Sequence, residues 1–304
     1  MIILGELYNF SNKEKKFLNK KFGYIDFVAY SNQNPKEVID NIKSIKNRRE
    51  VNYIVLNTMN TIPDELIKYL INCKINYITI KELFEIAFNK YFISPRMNNL
   101  DFLSTIKTYN KFEYIQKRFI DYILSFILLF LTFPIMIYSS WRIKKESPDG
   151  PIFFKQIRVG KDNREFECLK FRSMRTDIDY FNEYTQENDP RIFPWGMIMR
   201  RMRIDELPQV FNVIKGDMHF IGPRAEWNRL VKKYEKNIPY YSARHIVKPG
   251  ITGWAQVKYS YGTSEEDAKE KLMYDLYYIK NWSLWLEIKT IFKTILVILN
   301  KEGV

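Results

Sequence analysis

Glycine is scarce in this chain, at 11 of 304 residues, and before residue 110 only Gly5 and Gly23 occur. A turn that closes backbone amides on a pyrophosphate needs several glycines within a few positions. Their absence argues against a working dinucleotide site in the first hundred residues and favours a docking or regulatory role there. Cysteine and histidine are rarer still: Cys73, Cys168, His219 and His245 are the full set. They are too few and too scattered for a zinc cluster or a disulfide framework, which points to a reducing compartment and two core thiols. Neither histidine has a partner at a useful spacing, so neither is assigned to catalysis. The apolar run before Asn12, Lys13 and Glu14 is too short for a signal peptide, and the bulk of the chain is expected in the cytoplasm. Repeats and low-complexity tracts are absent as well.

Acidic residues are outnumbered, 35 against 48 lysines and arginines, for a formal charge of +13. The partner is therefore anionic: nucleic acid, an acidic bilayer or a phosphorylated small molecule. Nucleic acid has only this charge behind it, since no nucleic-acid module is recognisable and none is expected as a partner. A hydrophobic fraction of 46% with 16% aromatics supplies a core for two modest domains or one large one.

Short β-rich runs alternate with helical patterns early in the chain: Tyr24 to Ser31, Pro35 to Lys46, Val51 to Leu56, Pro63 to Cys73 and Ile75 to Ile80. That rhythm predicts a βαβαβ layer with parallel strands. The expected fold class is α/β: a small Rossmann-like domain over residues 1–95, a polar linker over 96–112, and a mainly helical membrane-associated domain over 113–304.

The most hydrophobic stretch runs from Phe119 to Trp141 and has the length of a spanning helix. Its flanks are both basic, Lys111, Lys117 and Arg118 before it and Arg142, Lys144 and Lys145 after, which would keep both ends cytoplasmic. A helix satisfies this by turning back within the bilayer, and Pro134 suits the break because it frees the carbonyl of Phe130. An ordinary transmembrane helix with a proline kink fits the residues equally well. Asp121 costs less at headgroup depth. Near the C-terminus, Leu284, Ile288, Ile291, Ile295 and Leu299 share one helical face, as suits an interfacial helix or a core helix.

Asp205 and Glu206 stand side by side among arginines, with Arg200, Arg201 and Arg203 before them and Lys215 and Arg224 after. Pro208 and the apolar run Val210 to Ile214 predict a short helix whose first turn holds both acids, ionised beside the helix dipole. The pair is either an N-cap with a dipole-friendly neighbour or a nucleophile and metal ligand for phosphoryl chemistry in a phosphate-attracting field. Arg224, presented by the turn Gly222-Pro223-Arg224, is a candidate phosphate clamp.

Together these motifs resemble the polyprenol-phosphate phosphoglycosyl transferases, the bacterial sugar transferases. The resemblance rests on Lys117-Arg118 with Asp121, the proline-containing helix, Gly150 to Gly160, Leu169 to Met174, Asn188 to Ile192, Asp205 to Gln209, Phe211 to Met218, Gly222 to Arg224, Lys248 to Gln256 and Tyr274 to Asn281. It implies a re-entrant helix over 118–141 broken at Pro134, at the cytoplasmic face of a bacterial inner membrane. It further implies transfer of a sugar 1-phosphate from a UDP-sugar to a polyprenyl phosphate with release of UMP. By the same resemblance Asp205 is the nucleophile, Glu206 its support, and magnesium or manganese is held by both. Lys170, Arg200, Arg224 and Asp275 match positions near the phosphates and nucleotide. A catalytically silent scaffold that recruits glycan-assembly partners is the competing expectation, and a homodimer through the α/β part stays open. Phe133 stands where relatives often carry serine, which moves hydroxyl assistance to Thr132, and Ala225 stands where many carry a second proline.

Overall fold

The computed structural model describes residues 1–30, 34–73, 75–94, 99–177, 189–259, 262 and 264–299, with the side chains of 99–101 also left aside. Part of the resemblance, Asn188, therefore lies outside the described residues. The chain divides into two units, Met1–Ser94 and Pro95–Val304.

The first unit is a four-stranded parallel sheet in the order β2-β1-β3-β4, built from β1 (Ile2–Leu4), β2 (Asp26–Val28), β3 (Tyr53–Leu56) and β4 (Asn76–Thr79). Its helices are α1 (Asn12–Phe22), α2 (Pro35–Arg48), α3 (Asp64–Asn72) and α4 (Ile80–Leu83), the last running into a π-turn at Phe84–Phe88. Val38, Ile39, Ile42 and Ile45 recur at helical spacing on α2 and pack with Leu66 and Leu70 of α3 onto Ile2, Leu4 and Ile54. The strands and helices expected between residues 24 and 80 are all present.

β1 and α1 were not foreseen. β1 is a three-residue apolar run, buried throughout and without alternation. α1 buries only Leu18 and otherwise reads as a charged tract, its start fixed by a capping box between Ser11 and Glu14. The strand order 2-1-3-4 is the flavodoxin-like doubly wound order, distinct from the 3-2-1-4 of dinucleotide folds, and the first unit is a parallel α/β layer.

The second unit opens with α5 (Asn99–Thr105), inside the segment expected as linker; Phe102 stacks on Tyr240 at 4.2 Å. α6 (Lys111–Glu146) follows, with Asn110 and Glu113 forming a capping box at its start. Then come the antiparallel hairpin β5 (Phe153–Val159) and β6 (Glu165–Phe171), α7 (Pro194–Arg201), a 3-10 turn at Ile204–Glu206, α8 (Gln209–Lys215), β7 (His219–Ile221), α9 (Asn228–Asn237), a 3-10 turn at Tyr241–Ile246, β8 (Gly250–Thr252), α10 (Trp254–Lys258), α11 (Glu265–Lys280) and α12 (Leu284–Leu299). β7 and β8 pair in parallel.

α6 is the one helix among the described residues long and apolar enough to cross a membrane, and only 17% of its most apolar stretch is buried. Its buried residues Lys117, Asp121, Ser125, Met136, Ser139 and Ile143 form one stripe that faces the rest of the unit at both ends of the helix. Helical geometry continues through Pro134. The hydroxyl of Thr132 donates to Leu128 O at 2.7 Å, not to the carbonyl freed by the proline, and Ser140 does the same to Met136 O. Such bonds to the preceding turn bend helices.

Candidate active site

α7 begins with Pro194 at its first turn, and the Trp195 amide donates to Glu146 Oε2 of α6 at 2.7 Å. Gly196 is obligatory: a Cβ there would lie 2.3 Å from Ser173 O, so α7 crosses the backbone after β6 at closest approach. The helix brings Arg200 to its last turn, and Arg203 then adopts the left-handed region (φ 58°, ψ 19°). That conformation costs a non-glycine residue about 1–2 kcal/mol. It turns the chain into the 3-10 turn that carries Asp205 and Glu206, with Ile204 anchored in the core among Met136, Phe171 and Met199.

Asn212 fastens this segment to β6. Its Oδ1 accepts from Leu169 N at 2.9 Å and its Nδ2 donates to Glu167 O at 2.8 Å. Cys168 packs on Val213 of α8, and two residues along the same strand face Lys170 meets Glu206 Oε1 at 2.7 Å. Arg224 reaches the same oxygen at 3.2 Å.

The turn holding Arg224 is pressed onto β8. Gly222 N donates to Thr252 O and Gly250 N to Pro223 O, both at 2.9 Å, and a Cβ on Gly250 would lie 2.1 Å from Gly222 N. Behind the turn, Arg158 donates to Ala225 O and Arg244 to Arg224 O, each at 3.0 Å. The turn is therefore braced from both sides without a proline at Ala225.

The two carboxylates differ in state. Asp205 is largely desolvated and its Oδ1 is buried without a hydrogen-bond partner. Burial raises its pKa above the usual aspartate value, with Lys170 opposing and Glu206 reinforcing the shift, while Arg200 and Arg203 also oppose it. Burial works against ionisation of Glu206 as well, but Arg224 and Lys170 outweigh it and hold this acid ionised far below the usual range. The expectation that both acids lie in the first turn of the helix after them is thus corrected. α8 begins after Pro208, neither acid caps it, and desolvation decides for Asp205.

The site residues expected from sequence are not all in one layer. Lys170, Arg200 and Arg224 act on the Asp205-Glu206 pair. Asp275 is buried on α11 and lies 2.7 Å from Arg244 Nη2, a charge contact rather than an aligned hydrogen bond, so it stands behind the Arg224 turn. Burial raises its pKa to about 6 against the pull of Arg244. His219 and His245 are buried against Asp121 and Asn163, each at 2.6 Å. Among the described residues no three His, Cys, Asp or Glu side chains gather as a metal cluster. Asn212, Arg158 and Arg244 escaped sequence reasoning; the signal for Asn212 was a polar residue inside the apolar run Val210 to Ile214.

The family model for bacterial sugar transferases matches residues 112–301, which is more than half of the chain. The chain belongs to the bacterial sugar transferase family. Relatives of this chain include the UDP-N-acetylgalactosamine-undecaprenyl-phosphate N-acetylgalactosaminephosphotransferase of Aeromonas hydrophila, 47% identical over 62% of this chain and 44% of that protein. The UDP-glucose:undecaprenyl-phosphate glucose-1-phosphate transferase of Xanthomonas campestris pv. campestris is 44% identical over 62% of this chain and 40% of its own length. The exopolysaccharide production protein PSS of Rhizobium leguminosarum bv. phaseoli is 38% identical over 60% of this chain and 94% of its length. The chain thus spans less than half the length of the first two. The family match begins beyond the α/β unit, Met1–Ser94.

Proposed function

We propose that this sugar transferase moves a sugar 1-phosphate from a UDP-sugar to a polyprenyl phosphate at the cytoplasmic face of the membrane. The observation that carries this reading is the divided state of the two neighbouring acids. Glu206 is tied to Lys170 and Arg224, whereas Asp205 keeps a desolvated oxygen with no partner. A carboxylate so placed is a nucleophile awaiting an electrophile, and the surrounding cations are what let a diphosphate approach it.

In the first step an Asp205 oxygen attacks the phosphorus that bears the sugar, the bond to the bridging oxygen breaks, and UMP leaves with that electron pair. In the second, a phosphate oxygen of the lipid attacks the acyl phosphate, releasing the Asp205 carboxylate and forming the polyprenyl-diphosphate sugar. Arg224 and Lys170, held through Glu206, and Arg200 at the end of α7 steady the phosphate oxygens. A magnesium-type cation arriving with the diphosphate fits the unpartnered Asp205 Oδ1, and bound there it would neutralise phosphate charge. Glu206 Oε1 is already shared by Lys170 and Arg224, so the weight of that expectation falls on Asp205.

Re-entry of α6 is supported by where its ends are fastened. At ~1.5 Å per residue the helix is ~54 Å long, well beyond a ~30 Å hydrocarbon core. A straight span would separate its ends across the bilayer. Instead Arg118 donates to Val213 O near the start and Arg172 to Ser147 O after the end, at 3.0 and 2.6 Å, and both partners belong to the unit that carries Asp205. The test is mass spectrometry of the protein incubated with UDP-sugars and a divalent cation but no lipid acceptor. A phosphosugar adduct on the peptide containing Asp205 is expected, with UMP released; UMP release that persists in Asp205→Asn would remove the nucleophile assigned here.

A further inference from the structure

We infer that α12 lies in the plane of the bilayer surface as a second lipid-contacting element beside α6. The helix is inside-out. A soluble helix turns its apolar stripe inward, but here the inward residues include the polar Glu287 and Thr290, buried to 1% and 0% exposure. Glu287 Oε2 takes the ammonium of Lys117 on α6 at 2.5 Å, and its Oε1 accepts from Trp282 Nε1 at 2.9 Å and from the Tyr278 hydroxyl. Thr294 meets Thr252 of β8 at 2.8 Å. The outward residues are apolar: Trp285 and Phe292 are 71% and 69% exposed, and Ile288, Ile295 and Leu299 are exposed with them.

At ~100° per residue these five side chains cover an arc of ~80° centred between Ile288 and Phe292, and Leu284, Leu296 and Ile298, also exposed, widen the apolar arc to ~160°, with Lys289 and Lys293 along one border. An arc of that width with lysines at its margin is the pattern of a helix lying at the headgroup boundary. Over its described length, 16 residues reach ~24 Å at ~1.5 Å per residue, less than a ~30 Å hydrocarbon core. Continuity singles out the bilayer as occupant. The buried Lys117–Glu287 pair fixes α12 to the part of α6 where Phe112, Ile115 and Phe119 are also exposed, 65–68% each. The two helices thus present apolar surface to one medium, and this inference rests on the membrane reading of α6.

The experiment uses the full chain with Cys73→Ser, so that an introduced cysteine is the accessible thiol; Cys168 is buried. A fluorophore is attached in turn at Ile288→Cys, Lys289→Cys, Phe292→Cys and Lys293→Cys, in vesicles of phosphatidylethanolamine and phosphatidylglycerol. Quenching by nitroxide-labelled lipid is expected to be several-fold stronger at 288 and 292 than at 289 and 293, with iodide in the opposite order. Iodide quenching at all four positions would overturn the proposal. Protection of 288 and 292 from both quenchers would also overturn it, by showing that protein, such as a second copy of the chain, covers the arc. The readout needs no turnover, so its failure leaves the transferase chemistry untouched.

Discussion

The molecule holds two places where an α/β or helical scaffold could bind phosphate, and they are finished differently. In the first unit the order 2-1-3-4 sets the topological switch point between β1 and β3, where ligands of open α/β sheets bind. Asn57 laces that place shut: it donates to Gly5 O and Tyr8 O and accepts from Tyr8 N, all at 3.0 Å. Gly5 (φ 97°) packs so closely that a Cβ would lie 2.6 Å from Asn57 O. In the second unit the Asp205-Glu206 pair is left with a buried oxygen unmatched. A crevice whose polar groups bond one another is scaffold, whereas one that leaves a desolvated carboxylate open is poised for a ligand.

Asp205→Asn breaks the contrast most severely. UMP release should fall by ~10³-fold or more, the scale of losing a covalent nucleophile. Thermal stability should hold or rise, because the raised pKa means that ionised Asp205 destabilises the fold at neutral pH. A melting temperature several degrees lower would show a structural acid instead. Glu206→Gln should cost less activity but more stability, since Lys170 and Arg224 lose their shared charge; breaking such a pair costs ~3–5 kcal/mol when it is fully buried. Glu206 is 8% exposed, so the lower end applies. Lys170→Met added to Glu206→Gln should recover part of that loss in denaturant titration.

Legibility in sequence divides along the same line. The strand and helix rhythm from Tyr24 to Ile80 survived because apolar spacing encodes it, and the acid pair stood out because its basic neighbours are adjacent in the chain. Lost were features set by approach in space. Neither the left-handed Arg203 nor the bonds of Asn212 to β6 is marked by local pattern. The opposed states of Asp205 and Glu206 depend on Lys170 and Arg224, which arrive from 35 and 19 residues away in sequence from Asp205 (205 − 170 and 224 − 205). Asp275 looked like a ligand-facing acid because its motif travels with the site, while its burial against Arg244 is visible only in three dimensions.

The pH profile sharpens the contrast within the pair. The proposed attack requires Asp205 in its ionised form, so kcat/KM should rise with pH along an acid limb above the ordinary aspartate value of ~3.9. Lys170→Met should shift that limb further up, because Lys170 opposes the rise. Stability runs the other way in this window. Folded Asp205 binds its proton more tightly than the unfolded chain, so its contribution falls as pH rises towards the raised pKa and stays unfavourable above it. The depressed Glu206 contributes stability above its ordinary value of 4.5 and loses it as pH drops towards its folded value. An acid limb that Lys170→Met leaves in place would assign the titration to another group.

Asn57→Ala should have the smallest effect on turnover and a clear one on the first unit. The substitution strands the carbonyls of Gly5 and Tyr8 and the Tyr8 amide, in the segment after β1, at about 1–3 kcal/mol for each that stays buried. Amide exchange by mass spectrometry on the full chain should then speed up across Ile2–Leu4 and Tyr53–Leu56, while UMP release stays within about two-fold if the two units are energetically separate. A large fall in turnover would mean that the sealed crevice stabilises the catalytic unit after all. The chemistry would then depend on the α/β unit that the family match leaves out.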